Sequence, residues 1–349
     1  MDIQVVLSQM AVLFLLIAAG YFSGKIKMIS PDGVKTLSKI VINISTPSVI
    51  LNSVLGGTEG ITGSKTAYFI LMVLLAYILF FLIAIPSARA LGASEGSDAS
   101  RNAECRTQNA ESGDVGELQC IVYSVQCTDM DGGSVVRLSN NSGLYTSMIV
   151  FGNVGFMGYP VVQAIFGDDA MFYAVLLNVI FNMLVYSTGI VMISGKGEKI
   201  KLRLIINVNF IVSLIALIIA FTGFRAPFVL TEAIRLASGI NTPCAMLVIG
   251  ATLAQIPVRN VFTKWQLYPV ALLKTVVVPV VIWLVFKRFV TENMLLGLLV
   301  VLSGMPIAAA VPMVAVEYGG NEDVASSGVF LTTLLSAATI PLIVFLLLR

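Results

Sequence analysis

Long apolar segments recur along almost the whole chain, and they constrain its fold more than any other feature. About 20 apolar residues in a helix are enough to cross the hydrocarbon core of a bilayer. The sequence has ten such segments, at about residues 3-23, 34-55, 66-88, 143-166, 169-194, 203-223, 231-255, 265-287, 293-317 and 323-347. Only 11% of the residues are charged, against roughly 25% in an average soluble domain. We therefore predict an all-α polytopic membrane protein with ten transmembrane helices.

The residue types that most enzymes and metal sites need are scarce. The chain has no histidine, the commonest general base and metal ligand. Its four cysteines, Cys105, Cys120, Cys127 and Cys244, do not have the spacing of a redox pair or a zinc site. The net charge of +2 does not indicate binding to nucleic acid. We expect no enzymatic activity, no cofactor, no metal and no nucleic-acid partner.

The distribution of positive charge between the loops predicts the orientation of the chain. Lysine and arginine in loops are retained on the cytoplasmic side of a membrane. If the N-terminus lies outside, the inner loops carry fourteen Lys and Arg residues and the outer loops carry six. The first span has no small-residue cleavage site, so we expect it to be a permanent helix. We predict that both termini lie outside.

Two halves of the chain, 1-194 and 195-349, share short motifs. NISTPSVIL in the second span and GINTPCAML in the seventh have the same Thr-Pro pair. YPVVQAIFGDD, at 159-169, and VPMVAVEYGGNED, at 311-323, both place a glycine seven residues after a proline. Each half has five spans, and an odd number makes the halves cross the membrane in opposite senses. We predict two inverted five-helix repeats, which are typical of transporters.

The first half contains an extra polar segment at about 92-141. Serine, glycine, asparagine and acidic residues replace the apolar background there, and the segment holds three of the cysteines. Such a composition buries too little apolar area to order itself, so we expect a disordered or weakly ordered cytoplasmic segment. A tolerated insertion with free thiols is one interpretation, a metal or redox sensor is a second, and an error in the reading frame of this segment is a third.

Two spans contain residues that interrupt a helix. Glycine costs about 1 kcal/mol and proline about 3 kcal/mol relative to alanine inside a helix. GNVGFMGYP in the fourth span and SGMPIAAAVPMVA in the ninth occupy related places in the two halves. The interrupting residues are Gly152, Gly155 and Pro160 in the fourth span and Gly304, Pro306 and Pro312 in the ninth. We predict that both helices break near the centre of the bilayer and cross.

Broken helices at this depth indicate a binding site. Their freed backbone groups must be buried in protein or line a wet cavity, since lipid offers them no partner. The N-terminus of each half-helix carries a partial charge of about +0.5 and attracts an anion. Close packing of small residues is the alternative explanation. The matching positions in the two halves favour a substrate site at the crossing.

Lys274 stands about ten residues into the eighth span. A charge near the bilayer centre costs about 2.5 to 3.5 kcal/mol on insertion scales, so it is functional by default. Lys274 could neutralise a bound carboxylate or carry a proton. The alternatives are snorkelling to the interface and a structural pairing with a carbonyl group.

Further polar residues lie within the spans. Asn178, Asn182 and Tyr186 share one face of the fifth span, where either substrate contact or hydrogen bonding between helices would explain them. Glu317, near the inner end of the ninth span, is a possible proton site or a solvated helix end.

Together with NTPCAMLVIGATLA, LLKTVVVPV and VPMVAVEYGGNEDVASSGVFLTTLLSAATIPL, the GNVGFMGYP motif resembles the auxin efflux carrier family, whose bacterial members include malate and malonate permeases. The resemblance implies that the first two spans of each repeat form a scaffold and the last three a moving part. It also implies a homodimer through the scaffold, an elevator-like motion and a place in the bacterial plasma (inner) membrane. The family's carboxylate-binding asparagine is matched by Asn153. The Asn-Pro that begins the sixth span in plant members is replaced here by NVN.

These observations lead to one functional hypothesis and two alternatives. The hypothesis is a secondary transporter of a small organic anion, a mono- or dicarboxylate, that binds at Asn153 and the half-helix ends. A cation/proton antiporter on a similar scaffold is one alternative, although it would need acidic residues at the midplane. A membrane sensor that binds an anion without moving it is the other.

Overall fold

A computed structural model describes residues 3-55, 63-110, 125-126, 137-138, 141-194, 207-224, 226-256, 258-318 and 320-348, and these are almost entirely helical. The helices, numbered along the described chain, are α1 Ile3–Lys25, α2 Pro31–Leu55, α3 Gly63–Ala110, α4 Ser142–Val150, α5 Val154–Phe166, α6 Asp168–Ser194, α7 Val208–Thr222, α8 Phe228–Gln255, α9 Val258–Thr263, α10 Leu267–Phe286, α11 Asn293–Ser303, α12 Ala310–Tyr318 and α13 Glu322–Leu347. Two short strands, β1 Val125–Gln126 and β2 Arg137–Leu138, pair antiparallel.

The described helices confirm a polytopic membrane protein. Seven of them, α1, α2, α3, α6, α8, α10 and α13, are long and apolar enough to cross a bilayer. Three shorter apolar helices, α5, α7 and α11, lie within the fourth, sixth and ninth predicted spans. Large apolar side chains point outwards, including Leu15 (69% exposed), Ile218 (62%) and Phe228 (80%). Lipid tails are a suitable solvent for such a surface.

The fourth and ninth spans are broken where the glycines and prolines predict. In the fourth span, α4 ends at Val150 and α5 begins at Val154. In the ninth span, α11 ends at Ser303 and α12 begins at Ala310. The fourth and ninth spans therefore each consist of two half-helices joined by a few residues of extended or irregular backbone.

The start of the polar segment differs from the prediction. We expected disorder or weak order from residue 92, but α3 continues without interruption to Ala110. An existing helix extends at little cost, and alanine, glutamate, arginine and glutamine in this stretch favour the extension, although glycine, serine and asparagine between them do not. Between residues 111 and 140 only β1 and β2 are described, and the predictions for the side chains of Cys105, Cys120 and Cys127 fall outside the described part.

Widened π-helical turns precede three prolines in the transmembrane helices. The turns at Val41–Ser45, Val154–Gly158 and Leu273–Val277 each end two residues before a proline. Proline lacks an N–H group and clashes with the carbonyl group four residues earlier, and a wider turn relieves both problems. The third of these turns contains Lys274, so the proline that follows helps to set the position of this side chain.

The helices pack into two groups. In the first group α8 packs against α1 and α2, and α2 packs against α7. The second group consists of α3 to α6 together with α10 to α13. At the centre of the second group, α4 is buried from Leu144 to Val150 and α11 from Leu295 to Ser303. An apolar helix that is buried on all sides lies in the core of a bundle. The two breaks are thereby placed inside the second group.

Within the first group, α1 and α8 approach each other backbone to backbone. A Cβ atom added to Gly250 would lie 2.0 Å from the carbonyl oxygen of Ile17. A Cβ atom added to Gly20 would lie 2.4 Å from the carbonyl oxygen of Leu247. Small residues allow this kind of contact, which stabilises helix pairs in membranes through close packing.

We predict that Gly250→Ala separates α1 from α8 and lowers the melting temperature of the purified protein. Overpacking of this kind costs about 1 to 3 kcal/mol, because the added methyl group meets backbone atoms that do not yield easily. Gly239→Ala is the matched control, since a Cβ atom at Gly239 meets nothing within 4 Å. Equal melting temperatures for the two variants would contradict the proposed close contact.

Candidate functional site

The two broken spans cross and hydrogen-bond to each other. The N–H group of Asn153 donates to the carbonyl oxygen of Pro306 at 2.7 Å, and the N–H group of Ala308 donates to the carbonyl oxygen of Phe151 at 3.0 Å. These bonds form a single antiparallel bridge between Gly152 and Ile307. Each break thus supplies partners for backbone groups that the other break leaves exposed, and lipid could not supply them.

A side chain from α13 completes this pairing. The N–H group of Ile307 donates to the hydroxyl oxygen of Thr332 at 3.1 Å. The same hydroxyl group donates to the carbonyl oxygen of Gly328 at 2.8 Å, and Thr332 is fully buried. Sequence reasoning missed Thr332, because a threonine within an apolar helix carries no signal of its own.

Asn153 begins the second half-helix of the fourth span. Its side-chain oxygen accepts a hydrogen bond from the N–H group of Phe156 at 3.2 Å, which is the geometry of an N-cap. Asn153 is buried, with 6% of its surface exposed. Among the described residues, its side-chain NH₂ group has no hydrogen-bond partner. The cap therefore uses the oxygen and leaves two donors.

The interrupting glycines differ in their surroundings. A Cβ atom at Gly152 would lie 3.1 Å from the Lys274 ammonium nitrogen, and one at Gly304 would lie 3.3 Å from a side-chain atom of Pro279. A Cβ atom at Gly155 would meet nothing within 4 Å. The first turn of α5 therefore has open space beside Gly155, whereas the extended backbone at Gly152 is tightly enclosed.

Lys274 reaches the crossing from α10. Only 1% of its surface is exposed. Its ammonium nitrogen donates to the carbonyl oxygen of Val150 at 3.3 Å and lies 5.8 Å from the centre of the Phe80 ring. Lys274 therefore does not snorkel to the interface. Its ammonium group pairs with a carbonyl group, which was one of the alternatives drawn from the sequence. That carbonyl group belongs to Val150, the last residue of α4.

A small cavity adjoins the crossing. It has a volume of about 10 Å³. That is room for about one water molecule. It is lined by Gly152 in the break and by residues of α3, α4, α5, α6, α10 and α11: Val73, Ala76, Tyr77, Phe80, Val150, Val154, Leu177, Lys274, Leu299, Leu302 and Ser303. A carboxylate does not fit this volume, so binding one here requires the surrounding helices to separate.

The remaining predicted site residues occupy three places. Asn178 is buried. The hydroxyl group of Tyr159 lies close to the side chain of Asn178 but forms no well-formed hydrogen bond. Asn182 is half-buried and donates to the carbonyl oxygen of Asn178 at 2.9 Å, as expected for a bond within one helix. Glu317 is exposed and lies at the end of α12, apart from the crossing.

The prolines of the two breaks also differ. Pro306 lies in the crossing itself and is buried, and its carbonyl oxygen accepts the bond from Asn153. Pro160 is buried after the first turn of α5, and Pro312 is half-buried in the first turn of α12. Pro160 and Pro312 shape the half-helices and are placed next to the crossing along the chain, whereas Pro306 takes part in it.

The Thr-Pro motifs of the two halves meet inside the first group. The hydroxyl groups of Ser45 and Thr46 both donate to the side-chain oxygen of Asn241, each at 3.1 Å. All three residues are buried. In the motif alignment Ser45 and Asn241 hold equivalent positions, one residue before Thr-Pro. The shared motif was visible in the sequence, but the contact between its two copies was not.

Comparison with known proteins identifies the family. The profile described as "Membrane transport protein" matches residues 5-94, 134-204 and 197-344. The chain belongs to this family. The match confirms the resemblance to auxin efflux carriers that the motifs indicated. It leaves residues 95-133 uncovered, and these lie within the polar segment.

Three proteins with which the chain aligns are distant relatives, at most 25% identical to it. A Rhizobium meliloti (strain 1021) protein with the provisional name malonate transporter is 25% identical over 207 residues, which are 56% of this chain and 64% of that protein. An uncharacterized transporter of Methanocaldococcus jannaschii is 21% identical over 339 residues, 95% of both chains. An uncharacterized transporter of Methanothermobacter thermautotrophicus is 25% identical over 193 residues, 54% of this chain and 63% of that one. The matches thus span less than two thirds of the first and third relatives and nearly all of the second.

We predict that Thr332→Val lowers the free energy of unfolding by about 1 to 3 kcal/mol, because it leaves the N–H group of Ile307 buried without a partner. Thr275→Val is the control, since the Thr275 hydroxyl group bonds only the carbonyl oxygen of Ala271 within its own helix, at 2.8 Å. Thermal melting of the two purified variants provides the measurement. A Thr332→Val protein that melts like the control would show that the hydroxyl group does not support the crossing.

Proposed function

We propose that this member of the membrane transport protein family is a secondary transporter of a small organic anion, a mono- or dicarboxylate, and that it works by elevator-type alternating access. The observation that carries the proposal is the crossing of two broken helices beside the buried side chain of Lys274. The provisional name of the Rhizobium meliloti relative supports a dicarboxylate such as malonate.

The chemistry of the crossing suits a carboxylate. The first turns of α5 and α12 present N–H donors and the positive ends of two helix dipoles. Asn153 adds the two side-chain donors that its cap leaves available. Lys274 contributes positive potential from the other side of the break. Hydrogen bonds from neutral donors and helix ends bind an anion without placing a second charged residue in the membrane.

The two packing groups support the elevator motion. α1, α2, α7 and α8 correspond to the first two predicted spans of each half, and the second group contains the last three of each half. The bonds from Ser45 and Thr46 to Asn241 join matching positions of the proposed inverted repeats within the first group. In this proposal the first group is the scaffold of a homodimer, and the second group slides along it with the bound anion.

Ion pairs at the helix ends agree with the proposed ten-span topology. Lys65 pairs with Glu292 at 3.5 Å, and the topology places both outside. Lys264 pairs with Asp323, and the topology places both inside. Both pairs fit this topology in either orientation. The proposal keeps both termini outside because of the Lys and Arg distribution between the loops, and it places the protein in the bacterial plasma membrane because of the family resemblance.

Proteoliposomes test the transport activity directly. We expect purified protein to accelerate the uptake of labelled malonate and related carboxylates well above the rate in empty liposomes. Equilibrium binding of the same compounds, measured in detergent, separates transport from sensing. Binding without accelerated flux would favour the anion sensor, and neither binding nor flux with any carboxylate would reject the proposed substrate class.

Three variants separate the capping and binding roles of Asn153. Asn153→Ala removes both roles, and the loss of a cap costs about 1 kcal/mol. Asn153→Ser keeps a capping oxygen but removes the NH₂ donors, so we expect nearly normal melting with at least tenfold weaker carboxylate binding. Asn321→Ala removes a similar cap, on the N–H group of Val324 at 3.1 Å, and should leave binding unchanged. Normal affinity in Asn153→Ser would exclude the side chain from the site.

A further inference from the structure

The C-terminal ends of two half-helices meet beside Lys274. α4 ends at Val150 and α11 ends at Ser303, and both residues line the small cavity that Lys274 also lines. The last carbonyl groups of a helix carry a partial charge of about −0.5. Two such ends bring about one negative charge together in an apolar interior, where water does little to screen it. A cation at this point would stabilise both helix ends.

Lys274 supplies that cation. It carries the one formal charge among the residues that line the cavity. Its ammonium group donates to the carbonyl oxygen of Val150 at 3.3 Å, and the face of Phe80 adds a cation–π contact. Among the described ion pairs, none gives Lys274 a carboxylate partner. One ammonium charge therefore faces the summed partial charge of the two helix ends.

We propose that the Lys274 ammonium is a built-in substitute for a coupling cation. Transporters with broken helices coordinate sodium ions at unwound carbonyl groups and at the C-terminal ends of half-helices. In this protein a covalently attached ammonium holds such a position. The crossing is then stable without a bound sodium ion, and transport is independent of sodium.

The same arrangement determines the sign of the charge that the crossing accepts. With the C-terminal ends of α4 and α11 neutralised by Lys274, the N-terminal ends of α5 and α12 have no negative counterpart at the break. The crossing as a whole is positive and favours an anion. This part of the inference and the sodium independence of transport rest on the proposed function, whereas the replacement of a cation at the crossing concerns stability alone.

Thermal melting of the full chain in detergent tests the replacement without a transport substrate. Wild type, Lys274→Met and the control Thr275→Val are compared in matched concentrations of lithium, sodium, potassium and choline chloride. We expect wild type and the control to melt at the same temperature in all four salts. Lys274→Met, which removes the charge and keeps most of the volume, should melt roughly 4–8 °C lower in choline chloride. One of the small cations should restore part of that loss.

Three melting results would overturn the replacement: a wild type that sodium stabilises relative to choline, a Lys274→Met protein that melts like wild type in choline, or a loss in Lys274→Met that no small cation restores. If Lys274→Met does not fold, the wild-type comparison still decides. Proteoliposomes provide a separate test, since carboxylate flux should be equal in sodium and choline. A tenfold slower flux in choline would overturn sodium independence, whereas an absence of flux in both salts would reject only the proposed function.

Discussion

A backbone group without a hydrogen-bond partner is expensive in an apolar interior, and the structure depends on how this cost is avoided where two helices break. The fourth and ninth spans each lose helical hydrogen bonds over several residues. They recover them from each other, through the bonds of Asn153 with Pro306 and of Ala308 with Phe151. The hydroxyl oxygen of Thr332 accepts a hydrogen bond from the N–H group of Ile307. The crossing is therefore a small piece of antiparallel pairing at a depth where an isolated break would be unstable.

Electrostatics follows from the same geometry. Breaking two helices creates four free ends, two with partial negative charge and two with partial positive charge. Lys274 pairs with one negative end, and the cavity brings the second negative end next to it. Both positive ends start from the crossing, and the NH₂ group of Asn153 is available beside one of them. In the proposed function, a few backbone dipoles and one lysine form the anion site, without a cluster of charged side chains.

The position of the crossing also affects how the protein could move. Its hydrogen bonds lie within the second helix group, so a displacement of that group along the first leaves them intact. The contacts that such a motion must change lie between the groups, where α1 and α8 touch α5, α2 and α7 touch α6, and α1 touches α13. The cavity has room for about one water molecule, so the proposed motion has to open space for an anion as well as carry it.

The sequence by itself determined the membrane-spanning helices, their broken places and the family. Apolar length, glycine and proline act locally, and their effects do not depend on distant contacts. Local composition was less reliable at residue 92, where α3 continues to Ala110, because a helix extends from residues that are already ordered. Only the tertiary structure decided that Lys274 pairs with Val150, that Thr332 supports Ile307 and that Ser45 meets Asn241. These contacts join residues 25 to 196 positions apart, and no local pattern encodes which distant carbonyl or hydroxyl group a buried polar atom will find.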